Sequence, residues 1–227
     1  DLPSTGKKIK YRPFLVREEK ILLMALESED MKQITEAVVS ILSDCIITRG
    51  VKVQDLSTFD IEYLFLNVRS RSVGESVEVN ITCPDDETTS VTVEIDLDLI
   101  KIKKDKSHKN TIKLDDKLSM KLKYPSLDQF IDSNFETNED GSNVDKSMSM
   151  ISSCIDVIYD EEESWSASDC TKKELEEFLE QLNTKQFKEI ENFFTTMPKL
   201  SHTIKVKNPN TKVESEVVLE GLASFFS

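Results

Sequence analysis

Residues 59–97 read FDIEYLFLNVRSRSVGESVEVNITCPDDETTSVTVEIDL, and this stretch decides the fold class. Its first part, Phe59–Arg71, carries apolar residues at helical spacing. Ser57 or Thr58 is placed to cap it, Asp60 lies in the first turn and Gly74 follows the end. Then the period changes. ESVEVNIT (75–82) and SVTVEIDL (90–97) alternate apolar and polar residues on either side of CPDDETT, whose Pro and Asp suit a turn. A helix running directly into an antiparallel hairpin points to an α+β chain.

Toward the N-terminus, VREEKILLMALE (16–27) and Asp30–Cys45 read as two helices, the second with Ile34, Val38, Ile41 and Cys45 on one face. KKIKY (7–11) alternates behind LPSTG and reads as the second arm of a short hairpin. Toward the C-terminus, Thr111–Leu114 and Leu118–Tyr124 flank Asp115-Asp116, and His202–Lys207 and Ser215–Leu219 flank NPNTKV. Helices are expected at Ser126–Phe135, Asp145–Tyr159, Lys172–Leu182 and Thr184–Thr196, the last stopped by Pro198. NEDGSN (138–143) and DEEESWSAS (160–168) read as loops. The expected architecture is antiparallel β-hairpins packed on helices.

Several phrases recur in the same order. KIKYRPFL (8–15) is similar to KLKYPSLDQF (121–130), and ILSDCII (41–47) to ISSCIDVI (151–158). FDIEYLFLNV followed by VNITCPD is similar to FKEIENFF (187–194) followed by IKVKNPN (204–210). The order predicts an internal duplication, with similar halves at 1–104 and 105–227 joined near KIKKDKSHK (101–109).

Charge narrows the function. Lys and Arg total 29 against 43 Asp and Glu, a net charge of −14, and such a surface repels phosphate backbones. Nucleic acid is therefore not the expected ligand. No apolar run reaches the length of a membrane span, and DLPSTGKKIKY has no apolar core of a secretory signal. A soluble intracellular chain is expected. Its four cysteines, Cys45, Cys83, Cys154 and Cys170, contain no closely spaced pair and read as free, mostly buried thiols.

Candidate chemistry is sparse. The turn after Cys83-Pro84 has the outline of a zinc knuckle, but Asp85 and Asp86 stand where a second thiolate is needed, and the matching turn carries Asn208 and Pro209. ETNEDGSNVDKS (136–147) has oxygen ligands and Gly141 at calcium-loop spacing, yet its twelfth place is Ser147 instead of a bidentate Glu. Both read more simply as a hairpin turn and a polar linker. The two histidines, His108 and His202, sit in no catalytic motif, and Cys45 and Cys154 fall on apolar helix faces where a thiol is inert. No enzyme activity, metal or cofactor is expected.

Protein contact is what remains. The 59–71 helix is apolar on more than one side, which places it at the centre of a core or against a partner. GLASFFS ends the chain with adjacent Phe225 and Phe226, which on one helical turn point about 100° apart. The candidate contact residues are Tyr63, Phe65, Phe225 and Phe226.

KKIKYRPFLVREEKILLMALES, FDIEYLFLNVRSRSVGESVEVNITCPDDET and TMPKL…VVLEGLASFF together resemble the baseplate hub assembly proteins of T-even-like contractile-tailed phages. The resemblance spans almost the whole chain, is strongest at 7–27 and 59–86 and is weak between about 100 and 180. The low-Gly, His-poor, acidic composition is similar to that of marine members of the group. The resemblance implies a non-enzymatic role in building the baseplate hub in the host cytoplasm, through contacts with other tail or baseplate subunits such as the hub or tape-measure chain. The alternative is a transient, holdase-like assembly chaperone that leaves before the virion is mature. Relatives with paired cysteines at the hairpin turns imply a zinc-stabilised form. Asp86 and Asn208 depart from that pattern, so no metal carries over.

Overall fold

A computed structural model describes the chain except residues 29, 75, 128, 130–142, 222–223 and 225–227. The helices α1 (Val16–Glu27), α2 (Met31–Cys45) and α3 (Thr58–Val73) come first, followed by β1 (Ser76–Thr82), β2 (Ser90–Asp96) and β3 (Lys101–Lys103). Next are β4 (Thr111–Lys113), β5 (Ser119–Leu122), α4 (Asn143–Ser153), β6 (Ile155–Tyr159) and β7 (Ser164–Ser166). The last elements are α5 (Lys172–Glu180), α6 (Thr184–Thr196), β8 (Lys199–Lys207) and β9 (Glu214–Glu220). All strand pairings among the described residues are antiparallel, in sheets ordered β1-β2, β3-β8-β9 and β4-β5-β6-β7. The fold is α+β, as the sequence implies.

The chain forms two compact units, Asp1–Lys103 with Pro198–Ser227, and Lys104–Met197. This grouping differs from halves at 1–104 and 105–227, because the last hairpin returns to the first unit. Its physical reason is pairing across distance. Lys101–Lys103 is not a linker but a strand, with Ile102 opposite Leu200 on β8. The apolar faces of both hairpins then share one core with α3, made of Val79, Ile81, Ile95, Leu200, Val206 and Leu219 around Leu66. Alternation on β1 (Val77, Val79, Ile81) and β8 (Ile204, Val206) supplies those faces directly.

In the same unit, α1 and α2 pack on each other and α2 on α3. Asp30 caps α2 by accepting from the Lys32 N–H at 2.9 Å, a contact worth about 1 kcal/mol. Val38, Ile41, Leu42 and Cys45 form the buried stripe of α2. The expected strand at 7–11 does not form. Leu2–Lys7 closes on itself through Leu2 N–H to Lys7 carbonyl and Gly6 N–H to Leu2 carbonyl bonds, and only Tyr11 bridges, to Ile46.

The other unit packs α4, α5 and α6 on a four-stranded sheet, around Met120, Leu122, Ile155, Leu179, Ile190 and Phe193. Two capping boxes start its helices: Thr171 with Glu174 for α5, and Asn183 with Gln186 for α6. The expected helix 145–159 ends at Ser153, and Ile155–Tyr159 is instead strand β6. The apolar spacing Met148, Ile151, Ile155, Ile158 fits a helix. The β-branched Ile155, Val157 and Ile158 favour a strand, and pairing with both β5 and β7 decides the outcome. The expected loop at 160–168 accordingly contains β7. Of the calcium-like segment, residues 136–142 lie outside the described residues, and from Asn143 onward it is the first turn of α4. The expected helix 126–135 lies mostly outside them too.

Candidate functional site

The contact residues expected on α3 separate. Phe65 is 0% exposed, and Phe59, Ile61, Leu64, Leu66 and Val68 are buried with it. The helix is apolar on several sides because α2 and the β-sheets of its own unit cover them, so Phe65 is a core residue and offers no surface to a partner. Tyr63 is half-buried. Phe225 and Phe226 lie outside the described residues.

The exposed apolar surface lies instead on α1, which sequence reasoning did not single out. Leu22 and Ala25 turn inward, whereas Leu15, Val16, Ile21, Leu23 and Met24 are exposed, Val16 by 80%. Five of the eleven large apolar side chains that stand exposed among the described residues thus fall within ten positions. Single exposed apolar residues are ordinary; a cluster of them marks an interaction surface. The available signal was ILLMAL (21–26): six apolar residues in a row occupy all sides of a helix, and only one side meets α2.

The start of α1 is fixed firmly. Glu18 is fully buried and accepts from Arg12 Nη2 at 2.9 Å, Arg17 Nε at 2.7 Å and the Leu15 N–H at 2.6 Å. The Arg12 guanidinium first, then Arg17 and the Leu15 N–H, hold its carboxyl down to about 2 against the opposing effect of burial. Phe14 N–H donates to Ser72 Oγ at 2.9 Å, tying the entry of α1 to the end of α3. The exposed face is therefore presented by a helix anchored at its N-terminal end.

The tips of the two long hairpins form a second constellation. In the first, Glu87 N–H donates to the Cys83 carbonyl at 2.9 Å; in the second, Lys212 N–H donates to the Asn208 carbonyl at 3.0 Å. Glu87 and Lys212 are both left-handed, at φ 56° and 66°. The tips therefore have matching turns. Asn208 is buried, and its Oδ1 accepts from the N–H groups of Asn210 and Thr211. Its Nδ2 donates to both Asp85 oxygens at 3.1 Å and to Asp86 Oδ2 at 2.9 Å. Thr211 Oγ1 adds a bond to Asp85, and Asn210 Nδ2 one to Thr89 Oγ1. Asp86 also accepts from the Thr88 N–H, the Thr89 N–H and the Thr89 hydroxyl. These bonds, from Thr211 and Asn208 for Asp85 and from Thr89 first for Asp86, hold both carboxyls below their ordinary range.

This donor set does not fit a zinc ion. A knuckle pair needs four N or S ligands. Here Cys83 alone is a thiol, its ionisation is disfavoured by burial and by Asp85 and Asp86, and the amide at Asn208 turns its hydrogens inward. Among the described residues no three His, Cys, Asp or Glu side chains converge as a metal site.

In the second unit, His108 clusters with Tyr124 and Phe193, the three ring centroids lying 5.1–5.7 Å apart, with Nδ1 at 3.0 Å from Thr196 Oγ1 and Nε2 at 3.0 Å from Tyr124 Oη. Thr196 Oγ1 gives its hydrogen to the Asn192 carbonyl, so it accepts from Nδ1–H. Burial lowers the pKa of this histidine. A cavity of about 400 Å3 lies beside it, lined by Lys109, Lys113, Lys185, Glu189 and Phe193 among others. Cys154 is fully buried and its thiol is pushed up to about 11 by desolvation, which makes it a poor nucleophile.

A contiguous apolar helix face turned to solvent marks an interaction surface. The chain belongs to the family described as T4 bacteriophage base plate protein, whose family model matches residues 1–227. It is a structural protein of a bacteriophage baseplate. No curated protein and no solved structure matches it. No helix among the described residues is long and apolar enough to cross a membrane.

Proposed function

We propose that the protein is a non-enzymatic component of the central hub of the tail baseplate, binding other tail subunits while the baseplate is assembled in the host cytoplasm. The observation that carries this reading is the exposed apolar face of α1 on a chain matched over its whole length by a baseplate family. A surface of that kind is costly to leave in water and is retained where a partner covers it. The acidic remainder keeps the free chain soluble before it is incorporated. Tyr63 on α3 and Phe225 and Phe226 at the chain end are proposed as further contacts; no cofactor takes part.

Quantitative mass spectrometry of purified particles, beside lysate of infected cells, tests the reading. A fixed stoichiometric copy number in particles is expected. Abundance in lysate with absence from particles would overturn it in favour of a transient assembly chaperone for a hub or tape-measure protein.

A further inference from the structure

We propose that the outward face of α1 docks an acidic, amphipathic helical segment of another tail subunit; the inference rests on the docking role above and names the chemistry of the partner. At 3.6 residues per turn, Val16, Lys20, Leu23 and Met24 share one face, with Arg17 on its flank. The apolar members recur at the spacing that a partner helix fills with its own ridge of side chains. The charge of the surroundings sets the sign of the partner. Among the first twenty residues, Lys7, Lys8, Lys10, Arg12, Arg17 and Lys20 stand against Asp1, Glu18 and Glu19; Glu18 takes ion pairs from Arg12 and Arg17, which leaves the four lysines as the main excess of positive charge. The chain as a whole carries 29 basic and 43 acidic residues, so this region is a basic island on an acidic molecule.

A helix with Leu or Ile along one side and Asp or Glu beside them meets both features at once. A second copy of this chain fits less well. Two copies paired through this face bring two Lys20 into one small interface, offset by Glu19 and Glu27 on each side, and press together two chains that each carry a net charge of −14. Electrostatic complementarity of this kind selects partners and speeds encounter more than it adds affinity.

The test is site-specific photocrosslinking with the full chain. A benzophenone amino acid replaces Leu23 during infection, and a second sample carries it at the exposed Val144 as a control position. Crosslinked peptides are identified by mass spectrometry from particles and from lysate. The expected result is one dominant crosslink from position 23 to an acidic segment of another tail protein with apolar residues at helical spacing. That segment, made as a synthetic peptide, should bind the purified chain at low salt. Lys20→Glu should weaken binding severalfold, mainly through slower association, with an unchanged unfolding midpoint, and Met24→Ser should weaken it by about tenfold. Crosslinks only to a second copy, or to a basic or uncharged segment, overturn the proposal, as does unchanged affinity in Lys20→Glu. If position 23 crosslinks nothing while the chain is stoichiometric in particles, this site fails and the hub role stands. If the chain is also absent from particles, the hub role fails with it.

Discussion

The side-chain amide of Asn208 donates to both carboxylate oxygens of Asp85, at 3.1 Å each, joining hairpin tips separated by more than a hundred positions in sequence. The same nitrogen lies 2.9 Å from Asp86 Oδ2, while Asn208 Oδ1 is occupied by backbone N–H groups of its own turn. One buried residue therefore shapes its own turn and clasps the opposite one. Where a zinc ion could tie two such turns, this chain uses charge-assisted hydrogen bonds.

Removing that clasp should loosen the ends of both hairpins. Asn208→Ala strips partners from two carboxylates and should cost about 1–3 kcal/mol, because hydrogen bonds to charged groups are the stronger ones. Thr211→Val, which removes one bond to Asp85, should cost less. Urea unfolding of the purified chain measures both. Treatment with a strong zinc chelator should leave the wild-type midpoint where it is; a fall would show that a metal contributes after all.

Stability should decline in acid in a defined window. Glu18 is held down to about 2, and Asp85 and Asp86 lie below the usual carboxylate range. Carboxyls with depressed folded pKa values stabilise fully above their unfolded values, 4.5 for Glu18 and 3.8 for the Asp residues. Below these the unfolded chain takes up protons first, so stability falls as pH drops from about 4.5 toward 2. The carboxylate contribution should be level from pH 7 to 5.5 and then decrease, adding to the loss from His108 that begins below pH 6.5. Glu18→Gln should be less stable at neutral pH and show a shallower decline; an unchanged slope would remove Glu18 from the account.

Much of this was legible in the sequence where local signals agree. The 16–27 helix has the expected bounds, and β1-β2 follows from strict alternation around Cys83–Thr89. Asn183 and Gln186 mark the start of α6 as a capping box does. The rest depends on distant partners. Nothing near Lys101–Lys103 announces that it pairs with β8, and Ile155–Tyr159 matches helix spacing until β5 and β7 flank it. The candidate site was missed for the same reason. Phe65 and Leu23 both sit in apolar helices, and only tertiary packing makes one core and the other surface.

The thiols should react in an order set by burial. Cys170 is the one partly exposed cysteine, while Cys45, Cys83 and Cys154 are buried. Desolvation raises the pKa of each buried thiol, that of Cys154 to about 11. A disulfide reagent at pH 8 should therefore modify one thiol per chain quickly, and Cys170→Ser should abolish that phase. The remaining three should react only as the chain opens in denaturant. Rapid labelling of Cys83 would mean that the hairpin clasp opens readily in water.

His108 supplies the last test, because its two ring nitrogens are both engaged inside the second unit. Thr196 has given its own hydrogen to the Asn192 carbonyl, so Nδ1 carries the proton and Nε2 is left as the acceptor facing the Tyr124 hydroxyl, which also lies 3.4 Å from Asn110 Oδ1. Burial disfavours the imidazolium, and the nearby Asp105 offsets only part of that effect. The folded pKa therefore lies below 6.5, and the stability that His108 contributes is complete above pH 6.5 and is lost as pH falls toward the folded value. NMR of the imidazole ring should find His108 titrating at lower pH than exposed histidine, with the proton of the neutral ring on Nδ1. His108→Lys should destabilise the unit by about 1–3 kcal/mol, since it places a charge against Phe193 that Asp105 offsets only in part. His108→Phe keeps the stacking on Tyr124 and Phe193 and should cost less. A ring already charged at pH 7 would refute the tautomer and the hydrogen-bond assignment together.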